Sequence, residues 1–272
     1  MNKLRGRNAI ITGASRGIGQ HIARALATEG CNLALAARTV EPIELLIGEL
    51  APMGVRCVPI KADVGTAAGR ETLLARATQE LGPIDVLVNN AALEVNRDYC
   101  GFSPADIEEM IQVDLIAPML LTRATLPSML ERRTGHVINI ASLAGKSATP
   151  YNTPYSAAKG GLILFTHSLR AELRGTGVSC SVVVPGFISE TGMFANKNVD
   201  VPVLVGASPP EKVARAVVRS LKKDTLETIV APGPLRLLQA FNQMYPETFT
   251  WIITRVGAME PFKKIASSTR GS

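Results

Sequence analysis

Short apolar runs and stretches of helical period alternate along this chain. NAIIT (8–12) is an apolar run that ends at Gly13, and the segment 18–30 after it spaces Ile18, Ile22, Ala25 and Leu26 as a helix does before Gly30 stops it. NLALAA (32–37) has the unbroken apolar character of a strand buried on both faces. The alternation continues with a helix over 40–51, a strand over 55–62, a helix over 66–81 and a strand over 84–89 that follows Gly82-Pro83. A long helix, or two in series, covers 104–131, with kinks or breaks expected at Pro118 and Pro127. Strands over 136–141, 178–184 and 227–231, and helices over 154–174 and 210–222, complete the series.

Apolar strands that alternate with helices build βαβ units, and right-handed crossovers lay such units into a parallel sheet covered on both faces. The expected fold is therefore a doubly wound α/β protein. With 272 residues, 46% of them apolar and 19% charged, the chain can bury one sizeable core, and no long polar linker divides it. A single domain over 1–272 is the reading.

The formal charge of +6 admits two partners, nucleic acid or an anionic cofactor or substrate. Lysines and arginines are dispersed, with only pairs such as Arg132-Arg133 and Lys222-Lys223, and no basic stripe or aromatic platform is visible; a nucleic-acid partner is therefore not expected. The four cysteines Cys31, Cys57, Cys100 and Cys180 form no C-x-x-C pair and have no histidine at ligand spacing, so neither a metal centre nor a disulfide framework is expected. The N-terminus lacks a secretory pattern, and no run of about 18 apolar residues suggests a membrane span. A cytoplasmic protein without a transmembrane segment is expected.

Between the first strand and the first helix stands Gly13-Ala14-Ser15-Arg16-Gly17-Ile18-Gly19. Glycines there let the backbone turn sharply and approach a diphosphate, whose charge suits the N-terminus of the next helix. Enzymes that use NAD place an acid at the end of the second strand for the ribose 2′-hydroxyl. Here that strand ends Ala36-Ala37-Arg38, with no acid before Glu41. Arg38, with Arg16 from the glycine loop, suits a 2′-phosphate, which favours NADP (NADPH) over NAD as cofactor.

Tyr155 and Lys159 lie four apart near the start of a predicted helix, so their side chains share a face. A free phenol titrates near pKa ~10, and a neighbouring ammonium is expected to lower that value toward working pH. Ser142, just past the strand 136–141, can hold a substrate oxygen while Tyr155 exchanges the proton. Gly13, Arg38, Asp63, Asn89, Ser142 and Pro185 each fall at or just beyond the carboxyl end of a predicted strand, the edge at which open α/β sheets bind ligands.

With TGASRGIG (12–19), Ala62-Asp63-Val64, NNAA (89–92), Ser142, YSAAK (155–159) and Pro185-Gly186 in this order, the chain resembles the short-chain dehydrogenase/reductase family from about residue 5 to 190. The resemblance implies a Rossmann-type sheet of about seven mostly parallel strands. It implies that Asp63 and Val64 hold the adenine ring, and that Asn89 and Ala91 belong to the cofactor floor. Ser142 would orient the carbonyl, Tyr155 transfer the proton and Lys159 bind the nicotinamide ribose. Pro185 and Gly186 would flank the nicotinamide, with the Ile188 backbone at its carboxamide. One departure stands out: the family usually carries asparagine where this chain reads Val113-Asp114-Leu115. That asparagine helps hold a water linking the lysine to a proton relay, so Asp114 joins the catalytic set with its effect on the relay open. Ala92, where glycine is common, is a milder departure.

The segment 187–210 is expected to lie over the substrate as a lid, with Phe187, Met193, Phe194, Tyr151 and Leu143 as candidates for an apolar pocket and Glu94 as a weaker polar one. The C-terminal extension, 233–272, holds two amphipathic stretches, 234–244 and 247–256. They would cover the pocket or form an oligomer interface, in preference to touching a membrane surface, with Trp251 as a packing residue. The favoured function is NADPH-dependent reduction of ketones or aldehydes by a homodimer or homotetramer acting on an apolar substrate. The alternatives are an alcohol or hydroxysteroid-type dehydrogenase working oxidatively and a non-catalytic NADP-binding regulator.

Overall fold

Where apolar residues fill both faces of a run, the strand becomes the middle of a covered sheet, and strands β1 (Asn8–Thr12), β2 (Asn32–Ala37), β4 (Val86–Asn89) and β5 (Gly135–Ile140) are buried at nearly every position. The computed structural model describes residues 4–189, 206–232, 241–255, 263 and 266. With β3 (Cys57–Lys61), β6 (Val178–Pro185) and β7 (Glu227–Val230), these strands form one sheet in the order β3-β2-β1-β4-β5-β6-β7, every pair parallel. The α/β reading and the expected strands hold.

Six long helices flank the sheet. α1 (Ile18–Thr28), α2 (Glu41–Leu50) and α7 (Pro210–Lys223) cover one face, burying Ile22, Leu26, Leu46, Val213 and Val217 with Leu33, Leu35 and Val88 of the strands. α3 (Ala67–Leu81), α5 (Ala117–Glu131) and α6 (Thr153–Glu172) cover the other, burying Leu73, Leu121, Met129 and Leu169 with Ile10, Ala34 and Val137. Chain order reverses between β1 and β4, which opens a crevice above their carboxyl ends.

The stretch 104–131 is interrupted next to Pro118, as expected, but not at Pro127. α4 (Pro104–Ile111) runs into a π turn, Gln112–Ile116, and α5 follows with Pro118 at its start. Pro118 follows directly on the π turn and lacks the N–H that a regular helical ladder would use there, so the break expected at this residue takes the form of that turn. Pro127 lies inside α5 on its exposed side and leaves the helix continuous. Pro104–Glu131 is also the one described stretch apolar and long enough to cross a membrane. Its Met110, Ala117, Leu121 and Met129 are instead buried in the protein core.

The last described element, α8 (Pro246–Arg255), matches the second amphipathic stretch, and residues 241–244 are helical as well. Trp251 does not pack inside: it is 57% exposed, with the Arg255 guanidinium 4.7 Å over its ring. On α8 it occupies the side turned away from half-buried Phe249, and a cation over the ring replaces the packing partner. Leu235, Leu238 and Val256 lie outside the described residues.

Candidate active site

Because all strands run the same way, their carboxyl ends meet at one edge, and the polar residues that follow them meet there too. β1 delivers the glycine loop. Gly13 has φ +66° and Gly17 φ +61°, conformations that cost a side-chain-bearing residue strain. A Cβ on Gly19 would stand 2.3 Å from the Gly13 carbonyl oxygen, so only glycine lets the first turn of α1 close against the loop. No side chain caps α1, which leaves its first N–H groups for a ligand. This bare, close-packed cradle fits a diphosphate, with Ser15, Arg16, Gly17 and Ile18 on its rim.

Thr12 and Asn90 hold that loop in place. The Thr12 hydroxyl accepts the backbone N–H groups of Asn90 (2.9 Å) and Ala91 (3.0 Å), and the Asn90 side chain donates to the carbonyls of Thr12 (2.9 Å) and Gly13 (3.2 Å). Neither residue stood out in the sequence, although Asn90 is the second asparagine of NNAA. Asn89 instead points under the floor, donating to the Asn139 side chain at 2.8 Å, and Asn139 donates onward to Thr166 at 2.9 Å.

Arg38 follows β2 and is 65% exposed, its guanidinium 4.0 Å from the Glu109 carboxylate of α4, a partner that the sequence order hides. Arg16 is exposed as well. Asp63 closes the turn after β3, its carboxylate accepting the Gly65 N–H at 2.9 Å, with Val64 buried beside it. Pro185 ends β6, the Gly186 N–H donates to Val230, and Ile188 bridges to Ser208. The two described ends of the 187–210 segment are thus clipped together, while 190–205, with Met193 and Phe194, lie outside the described residues.

Ser142, Tyr155, Lys159 and Asp114 come from three separate elements. Ser142 ends the β5 edge in extended backbone, and its hydroxyl accepts the Ala144 N–H at 3.2 Å. Gly145, three residues on, lets this loop sit directly on α6: a Cβ there would be 2.6 Å from the Gly160 nitrogen. Asn152, Thr153 and Pro154 start α6, one turn of which separates Tyr155 from Lys159. The ammonium lies 5.5 Å from the Tyr155 ring centroid and donates to the Ile140 carbonyl at 3.2 Å. The π turn carries Asp114 inward, fully buried, where one carboxylate oxygen meets the Lys159 ammonium at 2.9 Å and the other accepts the Leu93 N–H at 3.1 Å.

The electrostatics depart from the sequence expectation. Tyr155 holds its proton well above the ordinary phenol range. Burial is the main cause, the carboxylates of Glu94 and Asp114 add to it, and the Ser142 hydrogen bond opposes it. Burial also raises the Asp114 carboxyl, against the pull of Lys159. The ammonium next to Tyr155 is matched by a carboxylate of its own, so its proximity alone does not make a ready phenolate. Glu94 takes the Asn152 side-chain amide at 2.6 Å and that of Asn96 at 3.2 Å, which ties the loop after β4 to the start of α6. The C-terminal segment reaches the same place, with Asn242 donating to the Lys146 carbonyl at 2.8 Å.

The family model for the short chain dehydrogenase matches residues 7–202. A relative named ketoacyl reductase HetN, from Nostoc sp. strain PCC 7120, is 40% identical over 98% of this chain and 95% of its own length. The crystal structure of a metagenomic short-chain oxidoreductase in complex with NADP superposes with a TM-score of 0.72 at 33% identity, covering 85% of this chain and all of that one. A short chain dehydrogenase/reductase from Burkholderia phymatum, in complex with NAD, gives a TM-score of 0.80 at 22% identity over 91% of this chain and 96% of its own, which shows the shared fold. By the matched family model, this relative and the glycine loop, tyrosine and lysine just described, the chain belongs to the short chain dehydrogenase family of oxidoreductases.

Proposed function

We propose that this protein transfers a hydride between NADP(H) and a carbonyl or alcohol carbon, and works as an NADPH-dependent reductase of ketones or aldehydes. The observation that carries the reading is the meeting of Ser142, Tyr155 and Lys159 at the edge that also holds the glycine cradle and Arg38. The cradle of Gly13, Gly17 and Gly19 takes the diphosphate, and Arg38 with Arg16 faces a 2′-phosphate. The dinucleotide supplies the hydride when bound. Ser142 holds the substrate oxygen, Tyr155 gives it a proton, and Lys159 holds the ribose hydroxyls beside them. Leu143, half-buried next to Ser142, and Tyr151 supply apolar surface for the substrate. The name of the Nostoc relative supports a ketoacyl group as one substrate class. Exposed Met119 and Leu120 on α5 and Leu164 on α6 support a homo-oligomer.

The test is an NADPH-consumption screen over ketones, aldehydes, quinones, ketoacyl thioesters and steroids, with NADH in parallel. Tyr155→Phe should lower turnover on the best substrate by roughly 10²–10⁴ while NADPH still binds. Turnover retained by Tyr155→Phe, or NADPH binding with no substrate reduced, would overturn the reading in favour of other chemistry or of a non-catalytic binder.

A further inference from the structure

We infer that Asp114, helped by Glu94, is a positioning residue that cancels the Lys159 charge at the Tyr155 hydroxyl, so that the site is a proton donor to carbonyls through neutral pH and oxidises alcohols only in alkaline solution. The inference rests on the reading above, in which Tyr155 exchanges the proton.

The geometry comes first. Lys159 is 2% exposed and Asp114 fully buried, and the ion pair between them, at 2.9 Å, is closer than the ammonium's contact with the Ile140 carbonyl at 3.2 Å. The π turn fixes Asp114 from one side and the Leu93 N–H from the other, so the carboxylate has no second place to go. A buried charge is tolerable only with its partner in place, so the pair persists whether or not Tyr155 is charged. Glu94 stands at the other end of the same helix turn, its carboxylate on Asn152, three residues ahead of Tyr155.

Among the described residues packed with Tyr155, α4 and the turn before it bring only apolar Ile107, Met110 and Phe102, and the polar groups come from four other places. α6 brings the Lys159 ammonium, the π turn the Asp114 carboxylate, the loop after β4 the Glu94 carboxylate, and the end of β5 the uncharged Ser142 hydroxyl. With Asp114 in place, a phenolate would face an ammonium whose charge is already matched, in a poorly solvated place where Coulomb terms are large. The proton that Tyr155 holds above the ordinary phenol range agrees with this balance. A neutral asparagine at 114, the residue common in the family, would leave the ammonium uncancelled. In reduction the phenol proton goes to the carbonyl oxygen while hydride adds to the carbon, and the phenolate then regains a proton from water. Oxidation runs the same bonds in reverse and must begin from the phenolate, the form that the two carboxylates disfavour.

The experiment has two readouts. The first is a tyrosinate absorbance titration of the cofactor-free protein, with Tyr155→Phe subtracted to isolate Tyr155. The midpoint should fall by about one pH unit in Asp114→Asn and move the same way, less far, in Glu94→Gln. The second is the pH profile in both directions: the acid limb of alcohol oxidation should move down by about one unit in Asp114→Asn, raising oxidation at neutral pH about tenfold. A folded Asp114→Asn with the wild-type midpoint and oxidation limb overturns the inference. If Asp114→Asn does not fold, Glu94→Gln decides alone, and an unmoved midpoint there overturns it. Turnover surviving in Tyr155→Phe would instead overturn the function on which the inference rests, so the two failures are separable.

Discussion

Gly145 is where a single methyl group separates the parts of the site without touching any of their side chains. It closes the short turn Leu143–Gly145 after Ser142, and its φ is in the ordinary range, so alanine brings no backbone strain of its own. The added Cβ would lie 2.6 Å from the Gly160 nitrogen, 2.6 Å from the Lys159 carbonyl carbon and 2.8 Å from its oxygen, where ordinary contact begins at 3.4 Å. All three are backbone atoms of α6 and cannot rotate away. The loop or the helix must therefore move by about 0.8 Å, the shortfall between those values. Ser142 rides on the loop, Tyr155 and Lys159 on the helix, so the displacement opens the gap between hydroxyl and phenol. Overpacking of this kind typically costs about 1–3 kcal/mol, and a misplacement near 1 Å can cost roughly 10²-fold in rate. Gly145→Ala should thus lower kcat by one to two orders of magnitude and lower Tm, while NADPH titrated by fluorescence weakens far less than kcat falls, because the glycine loop belongs to β1 and α1 and only the Lys159 contact moves. Gly160→Ala, whose Cβ would be 3.2 Å from the Gly145 oxygen, should do the same more mildly. Wild-type kcat and Tm in Gly145→Ala would refute the reasoning, since the contact would then have been absorbed without moving either element.

Arg38→Asp removes the cation beyond β2 and adds a carboxylate to which a ribose 2′-hydroxyl would donate. The ratio of kcat/KM for NADPH over NADH should fall by about 10- to 100-fold, the worth of a charged hydrogen bond, and an unchanged ratio would remove Arg38 from cofactor choice. His136, on β5 and bonded to the Ser181 hydroxyl at 2.7 Å, has its pKa lowered by burial from 6.5 to about 4. It is neutral in the folded protein, whereas the unfolded chain takes up the proton first. Its contribution is whole above pH 6.5 and is lost as the pH falls toward 4, by about 3 kcal/mol at the end of that window. Urea unfolding at several pH values should show this slope, and His136→Asn should flatten it; equal slopes in both proteins would disprove the assignment.

The residues that could be read from the chain are those whose job is local. Continuous apolar runs such as 32–37 name buried strands, glycines at 13, 17 and 19 name a turn that must stay bare, and a spacing of four puts Tyr155 and Lys159 on one face. Parallel order then follows from alternation, which collects the strand ends at one edge without any knowledge of side-chain contacts. Pro127 misled because a proline on the wet face of a helix can leave it continuous, and which face is wet is a matter of context. Trp251 misled for a similar reason: amphipathicity marks an apolar face, but not which neighbour lies against it.

Sequence alone determined which segments become strands and helices, the bare glycine turn at 13–19 and the shared helix face of Tyr155 and Lys159, since each follows from spacing along one segment. Only the tertiary structure decided that a carboxylate in a π turn sits 2.9 Å from the lysine and that Glu94 faces the start of the same helix. Charge interactions depend on distance and on exclusion of water, and both are set by how distant segments pack.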